Sequence, residues 1–176
     1  MYLKKPKKIK GHIFKDNRGF FQECFKEKKI KFNPVFSALS FSKKNVIRGL
    51  HLQLKKKQKI FITVLQGKIL DVCVDINIKS KNFGKIFKNT LNSGDMLYIP
   101  KGYAHGFTAL ENENLIMYQF SEYRHQNSEI GIMYDDKDLN IKWPVTRPIQ
   151  SKKDKNNISF EKLKKIIKKK KNLKFF

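Results

Sequence analysis

Two of the four histidines stand in settings that invite chemistry: Arg48-Gly49-Leu50-His51, and Tyr103-Ala104-His105-Gly106-Phe107, which closely follows Ile99-Pro100. A histidine by itself is more often a packing or surface residue than a catalyst. Here the two are accompanied by an arginine, by Tyr118 in an apolar run and by carboxylates that can serve as partners. His51 suits a general base, because its unperturbed pKa lies near neutrality and a carboxylate bonded to the far ring nitrogen fixes the tautomer and supports the imidazolium. Tyr118 suits the acid, acting from the opposite side.

Such side chains need a rigid frame, and the sequence supplies one made of short strands. From Gly11 to about Pro148, apolar runs alternate with turn signals: Asp16-Asn17-Arg18-Gly19, Asn33-Pro34, Gly67, Asn92-Ser93-Gly94-Asp95 and Pro100-Lys101-Gly102. Residues Ile60 to Asp75 read as two β-rich segments around Gly67, without helical periodicity, and Met96–Ile99 and Leu115–Phe120 follow as further strands. Many short strands without intervening amphipathic helices predict an all-β sandwich or barrel. Past Asp154 the composition shifts. Phe160, Leu163, Ile166 and Ile167 recur at helical spacing behind Ser159, a suitable cap, and the chain closes on Lys168 to Lys171 and a basic tail read as solvated. The expected division is a domain over 1–154 and a basic helix and tail over 155–176.

Composition narrows the function classes. At 176 residues, with 40% hydrophobic positions and fifteen phenylalanines, the chain can close one core and is too short for two ordinary domains. It holds no apolar run of transmembrane length, and its basic start lacks the apolar stretch of a signal peptide, so a soluble cytoplasmic protein is expected. Cys24 and Cys73 fit no paired-cysteine motif and lie in apolar runs, which favours reduced core thiols over a disulfide or a zinc site. A net charge of +24 raises the question of nucleic acid. Yet only Arg18, Arg48, Arg124 and Arg147 among the 39 basic residues are arginine, the type that phosphate-reading surfaces favour. The lysines read as a solvated surface able to attract a phosphorylated small molecule, with no nucleic-acid or membrane partner.

Taken together, several segments resemble the dTDP-4-dehydrorhamnose 3,5-epimerase family. They are Asp16-Asn-Arg-Gly-Phe-Phe-Gln-Glu23, Ser42 to Gln53 with its Arg-Gly-Leu-His, Asp71-Val-Cys-Val-Asp75, Ile99-Pro-Lys-Gly-Tyr-Ala-His-Gly-Phe107, Tyr118 and Trp143-Pro144, in the family's order and spacing from about Ile9 to Asp154. The resemblance implies a cupin-type jelly-roll barrel that forms a homodimer and needs no metal or other cofactor. It implies deoxysugar (rhamnose) biosynthesis for surface polysaccharide, by epimerisation at C3 and C5 of a dTDP-linked 4-keto sugar. His51 matches the base, Asp154 its orienting carboxylate and Tyr118 the acid. A proton beside a ketone is abstractable only when the charge developing on the carbonyl oxygen is stabilised, so an electrostatic clamp is needed as well. For binding, the matched positions are Arg18, Phe20 and Glu23 in the first segment, Arg48 and Gln53 in the second, His105 in the fourth, and then Glu129 and Lys153.

The chain also departs from the family pattern. Gln58-Lys59-Ile60 stands where the family has Gln-Gly-Lys, in a segment one residue shorter, so strict alignment puts Ile60 at the lysine expected to hold the keto oxygen. Lys59 is the expected replacement, provided that a register change or bulge turns it inward, and His105, in a motif that the family places beside the sugar, is the other candidate. Phe36-Ser37-Ala38 replaces polar contacts to the nucleotide, and Arg124 occupies the place of a base-stacking aromatic, a role open to Arg124 itself or to Tyr123. The alternatives are a C3-only or C5-only epimerase, a ketoisomerase, which Gln53 disfavours because those relatives tend to carry histidine there, and a non-catalytic sugar-nucleotide binder.

Overall fold

The computed structural model describes residues 4–25 and 30–172. Twelve strands and one helix follow in chain order: β1 Lys7–Ile9, β2 Ile13–Asp16, β3 Gly19–Gln22, β4 Phe36–Lys43, β5 Ile47–Gln53, β6 Ile60–Gln66, β7 Lys68–Asp75, β8 Ile86–Asn92, β9 Met96–Ile99, β10 Tyr103–Ala109, β11 Glu113–Phe120, β12 Glu129–Gly131 and α1 Phe160–Asn172. Two five-stranded antiparallel sheets, ordered β1-β9-β6-β11-β4 and β12-β5-β10-β7-β8, face each other in the jelly roll that the resemblance implies, and β2 and β3 form a separate hairpin. The two β-rich segments around Gly67 are β6 and β7. They do not pair with each other: β6 lies in the first sheet and β7 in the second, so Gly67, at φ +86°, passes the chain across the barrel.

Period-two alternation decides which side chains enter the barrel. On β7, Cys73 joins Ile62, Val64, Leu97, Phe107 and Ile116 in the core between the sheets, whereas Val72 and Val74 point outward into a second cluster with Leu50, Leu52 and Ala104. That outer cluster is closed by Phe160, Leu163 and Ile167 of α1. Burial on both faces explains why β7 reads as a nearly continuous apolar run. The helix begins as the sequence predicts: Ser159 Oγ accepts the Lys162 N–H at 3.2 Å, and the Asp136 carboxylate accepts that of Phe160 at 2.8 Å. Residues 173–176 of the expected tail lie outside the described residues. Both cysteines are free thiols; Cys73 is a core residue, but Cys24 falls just past β3 and is only half buried.

Candidate active site

The same alternation that sends Leu50 and Leu52 outward turns His51 and Gln53 toward the barrel interior, and it does the same for His105 between Ala104 and Gly106. β5 and β10 are neighbours, with His51 and His105 in register. Their backbones approach so closely that a Cβ on Gly49 would lie 2.6 Å from the His105 carbonyl oxygen, and one on Gly106 would lie 2.6 Å from that of Arg48. Gly49 also has φ +105°, open chiefly to glycine. The glycines of the two histidine motifs are therefore one device: they crowd two strands together, with a register shift between His105 and Phe107, and bring both imidazoles to one cavity.

His51 Nε2 lies 2.6 Å from Asp154 Oδ1, with the carboxylate side chain 5% exposed and the imidazole 35%. Asp154 opens a short 3₁₀ turn, Asp154–Asn156. The Asp154 N–H donates to Ser151 Oγ at 3.0 Å, and Asn157 Nδ2 donates to the Gly49 carbonyl at 3.3 Å, which fastens the turn to β5. Burial opposes the charge on Asp154, but the bond and charge of His51, together with bonds from Ser151 and the Gly49 backbone, outweigh it and hold the carboxyl below its ordinary range. An ionised Asp154 accepts the Nε2 proton and leaves the Nδ1 lone pair to act as base.

Tyr118 comes from the opposite sheet. Cross-strand registers set Ala38, Tyr118 and Ile62 in one row, and Phe36, Phe120 and Ile60 in the next row on the same face. Ala38 is small and leaves room beside the phenol. Burial, first of all, pushes the Tyr118 hydroxyl well above its ordinary pKa, against a smaller opposing effect of Ser40, whose hydroxyl donates to Tyr118 Oη at 3.3 Å. Tyr118 is thus a phenol through the neutral range, with a proton to give.

Between these walls lies a cavity of about 480 Å³, within the size of small-molecule sites. His51, Tyr118 and Asp154 line it, together with Arg48, Gln53, His105, Arg124, Glu129 and Lys153. His105 Nε2 is held 2.5 Å from the fully buried Asp71. Arg48 donates from Nε to Ser42 Oγ and from a terminal nitrogen to the Phe41 carbonyl, each at 3.0 Å. Glu129 binds Arg124 at 2.6 Å and also Lys153; against the cost of its burial these two cations hold its carboxyl below the ordinary range. One acidic residue thus parks two cations at the cavity wall.

Other expected positions lie apart from this group. Arg18, Phe20 and Glu23 belong to the β2–β3 hairpin and its exit and do not line the cavity; Arg18 is exposed and paired with Asp16 at 2.6 Å, and Glu23 borders a separate small pocket with His12 and Phe14. Tyr123 stands outside the lining, one residue before Arg124. Ile60 lines the cavity. Lys59 is not in the lining; its N–H donates to Ser121 Oγ at 2.9 Å. Lys57 and Phe120 also line the cavity, and sequence reasoning missed both; it placed Asp71 within a motif but gave it no role. Burial, and secondarily Lys79, lower the pKa of Lys57 below the ordinary lysine value. Among the described residues no group of three or more His, Cys, Asp or Glu side chains could hold a metal ion.

Compared with known proteins, the chain matches the family model described as dTDP-4-dehydrorhamnose 3,5-epimerase over residues 2–162. It is 38% identical over 159 residues to the Shigella flexneri protein of that name, covering 84% of this chain and 87% of the relative. Among solved structures, the Sulfolobus tokodaii dTDP-4-dehydrorhamnose 3,5-epimerase superposes with a TM-score of 0.82 at 41% identity, covering 89% of this chain and 91% of the other. The Legionella pneumophila dTDP-6-deoxy-D-glucose-3,5-epimerase, solved in complex with dTDP-4-keto-L-rhamnose, gives 0.85 at 35% identity, covering 92% and 90%.

Proposed function

The chain belongs to the dTDP-4-dehydrorhamnose 3,5-epimerase family, and from that premise we propose that it inverts C3 and C5 of a dTDP-4-dehydro-6-deoxy-hexose. The observation that carries this reading is the pairing of a carboxylate-held His51 on β5 with a protonated Tyr118 on β11, on facing sheets and on one cavity. His51 Nδ1 takes the proton from the carbon beside the C4 ketone, and the electron pair moves onto the carbonyl oxygen to give an enolate. Tyr118 delivers its proton to that carbon from the other face, and the ketone re-forms. His51, partly exposed, returns its proton to water, and Tyr118 is reprotonated by water before the second centre reacts. The reaction is redox-neutral and consumes no co-reactant.

The enolate oxygen needs a positive neighbour. Two lysines line the cavity, Lys57 just before β6 and Lys153, which is bound to Glu129. With Ile60 in the row next to Tyr118, we assign that role to Lys57, on the approach to that strand, rather than to Lys59. Proton exchange at C3 and C5 in deuterated water, followed by NMR on a dTDP-4-dehydro-6-deoxy-hexose, tests the whole reading. Incorporation at both carbons is expected; absence of exchange at both refutes it.

A homodimer belongs to the same proposal. The hairpin exposes Phe14, Phe20 and Phe21, and β4, the last strand of its sheet in the single chain, exposes Phe41. Apolar side chains on a protruding hairpin and at an open sheet edge favour cover by a second copy. Exchange of hairpins would carry Arg18 and Phe20 to the partner's cavity, with Arg18 released from Asp16 onto the diphosphate. Sedimentation giving a dimer, and recovery of activity on mixing inactive His51→Ala and Arg18→Ala proteins, are the expected results; a monomer with full activity refutes it. No helix among the described residues is long and apolar enough to cross a membrane. The free thiols Cys24 and Cys73 suit a reducing compartment, which supports placing the enzyme in the cytoplasm.

A further inference from the structure

Residues 54–59 join β5 to β6, and the side chains of Gln53, Ser128 and Gln58 fasten this bend to the segment that leaves β11. Gln53, the last residue of β5, is 9% exposed and uses both ends of its amide: Oε1 accepts the His125 N–H at 2.7 Å, and Nε2 donates to the Lys56 carbonyl at 3.1 Å. Ser128 Oγ accepts the Lys55 N–H at 3.2 Å, and the Ser128 carbonyl accepts that of Leu54 at 3.0 Å. On the far side Gln58 Nε2 donates to the Glu122 carbonyl at 2.7 Å. Lys57 lies between these holds.

Each end of the Gln53 amide meets the backbone next to a cavity cation. Lys56 is followed by Lys57, and His125 is preceded by Arg124, both of which line the cavity. Lys56 needs the hold, because φ +48° is a left-handed conformation that a residue other than glycine keeps only where its surroundings fix it. An amide suits the place, since it accepts from an N–H on one side and donates to a carbonyl on the other. Gln53 lines the cavity, as a binding residue would, but both of these bonds run to backbone and set the position of its neighbours.

We propose that Gln53 is a positioning residue, which places the Lys57 ammonium at the reacting carbonyl by fixing the bend at Lys56, and is not a contact to the substrate. This inference rests on the epimerase reading and on the assignment of Lys57 to the enolate oxygen. A long lysine on a loose bend samples many positions, and a misplacement of about 1 Å at the reacting centre can cost about a hundredfold in rate. The charge that Lys57 meets develops only as the proton leaves carbon, so its misplacement lowers kcat and leaves KM nearly unchanged.

Gln53→Met in the full-length protein keeps the length of the side chain and removes both bonds. Deuterium incorporation at C3 and C5 of a dTDP-4-dehydro-6-deoxy-hexose should show kcat lowered by about tenfold to a hundredfold. KM, and dTDP affinity by calorimetry, should stay within about threefold of wild type. Two readouts separate positioning from a general loss of structure. In the Lys57→Met background, Gln53→Met should add less than about twofold to the loss, because both changes remove one interaction. Ile60→Lys puts the charge on β6, where it does not depend on the bend, and should recover at least about fivefold of the Gln53→Met loss. A raised KM at unchanged kcat makes Gln53 a substrate contact and overturns the proposal. Full activity in Gln53→Met, losses that multiply in the double variant, or no recovery with Ile60→Lys overturn it as well. Full activity in Lys57→Met removes the Lys57 assignment and this proposal with it, leaving exchange intact, whereas absence of exchange in wild type removes the epimerase reading and both.

Discussion

Replacing Lys57 by methionine keeps the length of the stem and removes only the charge from the cavity. If the Lys57 ammonium approaches the enolate oxygen to about 4 Å, an effective dielectric of about 20 gives an attraction of about 4 kcal/mol. This agrees with the loss of about a hundredfold to a thousandfold seen when one preorganised donor to a developing oxyanion is removed. The expected result for Lys57→Met is a fall of that size in kcat, with KM changed by less than about threefold, because the charge on the oxygen exists only in the transition state and intermediate. The assay is deuterium incorporation at C3 and C5 under saturating substrate. Wild-type activity should also fall at alkaline pH. The ammonium must be charged to work, and burial depresses its pKa below the ordinary lysine value, so the limb appears below pH 10.5; Tyr118, raised much further, is still protonated there. The decisive variant restores a lysine elsewhere: Ile60 lines the cavity one row from Tyr118, so Ile60→Lys in the Lys57→Met background should recover at least about tenfold of the loss. Full activity in Lys57→Met, or a comparable loss in Lys59→Ala instead, refutes the assignment.

His51→Ala should reduce exchange at both carbons to below about a hundredth of the wild-type rate, the scale of lost general-base catalysis; measurable inversion above that level removes His51 from the role. Tyr118→Phe should still allow deuterium wash-in on the His51 face while the product fails to invert, and normal inversion would demote the phenol to packing. Asp154→Asn bears on stability as well as activity. The native carboxyl titrates below its ordinary value, so its contribution is complete above about pH 4 and is lost as pH falls through the depressed native pKa. Denaturant midpoints measured between pH 7 and pH 3 should therefore converge for wild type and variant on the acid side, and a constant gap across that range would contradict the ion pair.

The group proposed as catalytic was legible because its residue types and spacing are bound to backbone demands. Arg-Gly-Leu-His and Ala-His-Gly-Phe each carry a glycine that the crossing of β5 and β10 requires, so the motif encodes the geometry as well as the histidine. Asp71 was not legible: a carboxylate inside the apolar run of β7 shows its purpose only when β10 is laid beside it and His105 meets it across the ladder. The split of Ile60–Gln66 and Lys68–Asp75 between two sheets was hidden for a similar reason, since period-two alternation around a glycine looks the same whether the chain folds back on itself or crosses a barrel. Arg18 and Phe20 mark a third kind of limit: under the hairpin exchange proposed above, the motif would report that a residue is used and stay silent about which copy of the chain uses it.

Lys57 sits at the boundary between the two cases. In the sequence it is the third of three lysines, Lys55 to Lys57, and nothing in residue type separates it from a solvated surface run. What singles it out is the bend between β5 and β6. Lys56 adopts φ +48°, and its carbonyl is fixed by Gln53 Nε2 at 3.1 Å. The chain therefore turns at Lys56 and presents the next residue to the cavity before β6 begins at Ile60. In β6 itself Ile60 takes an inward place opposite Phe120. The bend acts on the approach to the strand, and it can bring a long, flexible lysine to the site where a regular strand turns Lys59 away. On this argument Lys57 would supply from the bend the charge that Ile60 cannot, which is why the double variant, rather than either single change, carries the test.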